Sequence, residues 1–142
     1  MKRYEFLEHV ADIYVAAYGR TLEEAFENAA AAMFDSMTDI SMVTPVYGDT
    51  VRVEAEDDVA LLHEWLHALL VKFEAELRLF SQFTVKEIRK EGERYFLEAE
   101  VKGEVFDREK HSSKIDVKAV TYHNMSVRRR NRCVEVRFIL DI

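Results

Sequence analysis

The sequence has 142 residues, 49% hydrophobic and 33% charged, with a formal net charge of −7. That is enough apolar material for one cored domain over residues 1–142, and it excludes a disordered chain. Apolar runs are broken by Glu, Lys or Arg well before the roughly 20 residues of a membrane helix, and Cys133, the single cysteine, excludes an internal disulfide or a cysteine-rich zinc cluster.

The N-terminal "MKRYEFLEHVAD" carries acidic residues where a signal peptide has its apolar segment, so a cytoplasmic protein is expected. "RYEFLE" at 3–8 and "DIYVAAY" at 12–18 alternate as strands, and Gly19 ends the second. Thr21 can then cap the Glu24 amide while Glu24 reaches back, which opens a helix with Leu22, Ala25, Phe26, Ala29, Met33, Phe34 and Met37 on one stripe. Glu23, Glu24 and Glu27 fall on its wet side. Residues 39–50, with the only Pro, read as a loop before the strand "TVRVEAE".

Asp57 or Asp58 caps a second helix, whose stripe is Leu61, Leu62, Trp65, Leu66, Leu69, Leu70, Phe73 and Leu77. The remainder is strand: "FTVKEIRKE" and "RYFLEAEVKGE" around a turn at Gly92, then "KIDVKAVTYH" and "RCVEVRFIL" around the basic run 128–132. Cys133, inside the last strand, is expected to be packed and not reactive. The order of elements implies an α+β fold, mostly antiparallel sheets packed with two long helices.

Two motifs attract attention. "HEWLH" matches the zincin pattern in which histidines at i and i+4 share a helix face and hold zinc. Helical stepping puts His63 and His67 opposite the Trp65 stripe, facing solvent, and no third ligand motif follows, so no zinc centre is expected there. The run "RRRNR" at 128–132 can hold phosphate or an acidic partner, but its place in a hairpin turn favours a solvated loop. The net charge of −7 argues against direct, strong nucleic-acid binding by counterion release.

The chain closes on "RFILDI", a strand still in progress. If that last strand pairs beside "DIYVAAY", then Asp12, Asp141 and the Ile142 carboxylate can converge on a hard cation that takes oxygen ligands, calcium, magnesium or manganese.

"EHVADIYVAAYGRTLEEAFENAAAAMFDSMTD" at 8–39, "KAVTYHNMSV" at 118–127 and the closing "DI" together resemble the archease family over nearly the whole length. The resemblance implies a single archease domain that is not itself an enzyme. It would be a protein cofactor of the tRNA-splicing RNA ligase, promoting GTP-dependent guanylylation of the ligase histidine and multiple turnover. It also implies functional roles for Asp12, Lys118 and Asp141, and a metal site of Asp12, Asp141 and Ile142 that holds calcium or manganese or magnesium. A chaperone-like role toward a tRNA methyltransferase is the alternative. Val10 and Tyr14 depart from the family's usual residues but are not among the implied ligands. His9 and His123 are expected to be hydrogen-bonded structural groups.

Overall fold

The computed structural model describes residues 1–9 and 11–142. Among the described residues, seven strands and two long helices run in the order β1 (Tyr4–Leu7), β2 (Ile13–Gly19), α1 (Leu22–Met37), β3 (Tyr47–Ala55), α2 (Asp58–Glu76), β4 (Arg78–Glu91), β5 (Arg94–Val105), β6 (Ala119–Arg130) and β7 (Cys133–Asp141). The strands make two antiparallel sheets, ordered β1-β2-β7-β6 and β3-β5-β4. Both helices touch strands of both sheets, whereas among the described residues no strand of one sheet approaches a strand of the other. The helices therefore form a middle layer, and the α+β architecture is the one expected.

That position explains why α1 buries more than one stripe. Ala29, Ala30, Ala31, Ala32, Met33 and Phe34 are all fully buried, as suits a helix covered on two sides, where small alanines let the sheets approach. Thr21 accepts a hydrogen bond from the Glu24 amide, and Glu24 reaches back to the Arg20 amide, one residue beyond the expected partner. Trp65 of α2 joins the two helices: its indole N–H donates to the Phe26 carbonyl at 2.9 Å from a fully buried position. Asp57, accepting from the Ala60 amide, is the α2 cap.

Several boundaries differ from the sequence expectation. Leu77 does not continue the α2 stripe; it sits at the C-cap in the left-handed region (φ 55°) and is 48% exposed. The loop expected over 39–50 holds a 3₁₀ turn (Ile40–Met42), and β3 already starts at Tyr47, because β5 extends far enough to pair it with Gly103. β4 starts at Arg78, and register shifts at Phe80/Gln82 and Val85/Glu87 break the alternation that would have revealed it. Residues 114–118 lie outside any strand; β6 runs instead from Ala119 through the basic residues to Arg130. Cys133 is partly buried in β7.

Glu27 is half-buried, not on a wet side. It accepts the Val85 backbone N–H at 2.8 Å, and burial pushes its carboxyl above the usual range.

Candidate functional site

Three adjacent strands, β2, β7 and β6, build one end of the four-stranded sheet. Ile13 pairs with Leu140, so continuing that register one step sets Asp12 opposite Asp141. On the other side Ala119 pairs with Asp141, and the Lys118 N–H donates to the Asp141 carbonyl at 2.7 Å. Asp12, Lys118 and Asp141 are thus neighbours at the shared end of three strands, although Asp12 is more than a hundred residues from the other two in the chain. Lys118 and Asp141 are exposed and Asp12 is partly so. Ile142 follows on the same edge, with 41% of its surface exposed.

Like charges set directly opposite on adjacent strands repel. Asp12 and Asp141 stand in that relation, and the His9 Nδ1 lies 3.7 Å from an Asp12 carboxylate oxygen. This donor set, all carboxylate oxygen on one sheet end, fits a hard cation better than a soft one. Among the described residues, no group of three or more His, Cys, Asp and Glu side chains is gathered as a metal cage.

A cleft of about 320 Å³ adjoins Asp12, walled by Phe6, Ile13, Asp35, Lys114 and Ile115. Asp35 accepts the Tyr4 hydroxyl at 3.0 Å and lies 3.7 Å from the Lys114 ammonium. Sequence reasoning did not single out Asp35 or Lys114. They come from α1 and from the segment before β6, and only the packing of that segment against the end of α1, fixed by the Lys114 N–H to the Met37 carbonyl, joins them to the tip.

The remaining candidates lie elsewhere. His9 flanks Asp12 and meets Tyr14 edge-on, with ring centroids 5.6 Å apart. Val10 lies outside the described residues. His123 is exposed, and its backbone N–H donates to the Thr121 hydroxyl. The basic run 128–132 occupies the end of β6 remote from the tip, turning through Arg132 (φ 61°), and Arg129 pairs with Asp58 at 3.0 Å.

His63 overturns the solvent-facing expectation. A second α2 face packs on β6, where the His63 Nε2 meets the Val120 carbonyl at 2.8 Å and its ring stacks on Tyr122 with centroids 3.8 Å apart. His67 is exposed, as expected.

The fold and the site define an α+β domain with a helical middle layer and acidic residues gathered at one sheet end. Residues 4–142 match the model of the Archease protein family (MTH1598/TM1083). The chain is 43% identical to the archease of Sulfurisphaera tokodaii, with all of both chains aligned, and 47% identical to that of Thermococcus gammatolerans over 89% of each. The solution structure of Methanobacterium thermoautotrophicum protein 1598 superposes with a TM-score of 0.88 at 41% identity over the full length of both. A crystal structure of an archease described as a possible chaperone, from Thermotoga maritima, shares the fold at 17% identity and a TM-score of 0.60, covering 96% of this chain and 94% of that one. The chain belongs to the archease family.

Proposed function

We propose that this archease is a non-enzymatic activator of the tRNA-splicing RNA ligase, promoting GTP-dependent guanylylation of the ligase histidine and sustaining multiple turnover. The observation that carries this reading is the juxtaposition, in a family member, of Asp12, Asp141 and Lys118 across β2, β7 and β6. The cation-binding group is Asp12, Asp141 and the Ile142 carboxylate; calcium, manganese or magnesium suits its oxygens. When bound, such an ion supplies positive charge for a triphosphate or a partner carboxylate.

The rest is the work of the chain itself. Lys118, fixed at its backbone to Asp141 and exposed, can offer its ammonium as a point charge to a partner group from the same sheet end. The sheet end is an edge that can enter a cavity, and its pairing to β7 keeps the three groups in register. Phosphoryl transfer depends on such positioning and charge stabilisation. The net charge of −7 favours docking at a basic, RNA- and GTP-binding mouth, where complementary charge speeds encounter. Action in the cytoplasm, with no direct strong hold on RNA, goes with this role. Among the described residues, no helix is long and apolar enough to cross a membrane.

A second reading, chaperone-like modulation of a tRNA methyltransferase, draws support from exposed apolar residues, among them Phe6, Tyr47 and Val105. Multiple-turnover ligation of tRNA halves with substoichiometric archease separates the two. Activation lost in Asp12→Ala and Asp141→Ala variants of native fold supports the tip. Full activation by both, together with loss in Phe6→Asp, supports the chaperone-like role.

A further inference from the structure

We propose that the β6–β7 hairpin binds the phosphate backbone of a nucleic-acid strand, held weakly and without regard to sequence by Arg128, Arg130 and Arg132. The inference stands apart from the ligase reading, because it uses the opposite end of the sheet from Asp12 and Asp141.

Strand alternation sorts the arginines. In β7, Val134, Val136, Phe138 and Leu140 belong to the core, so Cys133, Glu135, Arg137 and Asp141 lie on the face turned away from the helices. Arg129 pairs with Val134 and falls on the core side, where its guanidinium meets Asp58 of α2 at 3.0 Å. Arg128 and Arg130 pair with Glu135 and Cys133 and fall on the open face. Glu135 is not available to Arg128, since its carboxylate is taken by Arg137 and its side chain is only 13% exposed. Arg128, Arg130 and Arg132 are all exposed, and among the described residues none of the three makes an ion pair.

The spacing suits a row of phosphates. Only Asn131 and Arg132 connect the two strands, with Arg132 in the left-handed region (φ 61°), so the turn is tight and the arginine backbones are fixed. Arg128 and Arg130, two residues along one face, stand about 6.6 Å apart, close to the separation of successive phosphates on an extended strand. Planar guanidinium forks match phosphate oxygens. A protein partner wants an apolar anchor at the centre of its contact, and residues 128–132 offer none. The overall charge of −7 excludes a strong hold, not a local one. From Cys133 to Asp141, β7 runs about 26 Å at ~3.3 Å per residue. Exposed charges more than about 8 Å apart are largely screened at physiological salt, so the acidic end of the open face and its basic end act separately.

The test is fluorescence anisotropy of labelled oligouridine and oligothymidine, about twelve nucleotides each, titrated with the full-length protein between about 50 and 200 mM salt. Three phosphate contacts on a single strand give a log–log salt slope of about −2, so affinity should fall about 20-fold over that range, and alike for both sugars. Arg128→Gln and Arg130→Gln should each reduce the slope by about 0.7, whereas Arg129→Gln, whose arginine is already paired with Asp58, should leave it unchanged. The triple variant Arg128→Gln/Arg130→Gln/Arg132→Asn, with unchanged melting, should bind at least about tenfold more weakly at the lowest salt. Asp141→Ala should bind like wild type, which separates failure here from failure of the tip. Absence of binding at the lowest salt, an unchanged slope in the triple variant, or binding confined to one of the two sugars overturns the proposal. So does a polyglutamate that competes as well as either oligonucleotide, which would mark an acidic protein as the partner.

Discussion

Trp65→Phe probes the middle layer most sharply. Trp65 is fully buried and its indole N–H donates to the Phe26 carbonyl, the one hydrogen bond from an α2 side chain to the α1 backbone among those described. Phenylalanine removes that bond, worth about 1 kcal/mol net. It also removes apolar surface on the order of 40 Å², another roughly 1 kcal/mol at about 25 cal/mol/Å². A void of about 40 Å³ left between the layers adds about 1 kcal/mol more at roughly 24 cal/mol per Å³. The summed loss is about 2–4 kcal/mol, which shifts a urea midpoint by about 1–2 M at the slopes usual for this size. Trp65 is the sole tryptophan, so the transition must be followed by far-UV circular dichroism. A loss below about 0.5 kcal/mol with an unchanged slope would refute the claim that this indole clamps the two helices.

Three further outcomes follow from the packing and the charges. At Gly103 an added Cβ would stand 1.7 Å from the Leu79 carbonyl oxygen, so Gly103→Ala must displace β4; thermal scans should show a drop of several degrees or more, and an unchanged midpoint would contradict the close strand approach. Burial pushes the Glu104 carboxyl up, but hydrogen bonds from Lys110, the Thr44 N–H and His111 overrule it and hold the group down to about 2. Its folded value being depressed, the stability it contributes is present above the ordinary value of about 4.3 and is lost as pH falls toward 2. Hydrogen exchange should show the 104–111 segment loosening across that window, and Glu104→Gln should abolish the dependence. Glu27 is the opposite case: burial raises it, so its charge costs stability as pH rises through that raised value, and Glu27→Gln, which keeps an acceptor for Val85, should melt no lower and lose part of the pH dependence at acid.

Much of this was legible along the chain. Capping at Thr21 and Asp57 and the 3.6-residue stripes located both helices, since those signals are local. What stayed hidden depended on neighbours. Leu77 looks like one more stripe residue, and neither Gly nor Pro marks the stop. The burial of Glu27 and the inward turn of His63 arise because the helices are covered on two sides, which a one-stripe reading cannot represent. At the site, Asp12 and Asp141 could be suspected from residue type and Lys118 from family resemblance, yet only the register of β7 between β2 and β6 makes them neighbours. Asp35 and Lys114 carried no signal of their own, being a helix residue and a loop residue that become relevant by contact.

The central claim, that the end of the sheet carrying Asp12, Lys118 and Asp141 drives guanylylation, is tested most directly by label transfer from GTP to the ligase histidine. The measurement uses manganese, ligase from the same source and catalytic amounts of archease. Wild-type protein should raise the rate and extent of labelling over repeated turnovers, while Asp141→Ala and Lys118→Ala, with circular dichroism spectra and melting unchanged, should leave labelling at the level of ligase alone. Equal stimulation by wild type and both variants would contradict the account.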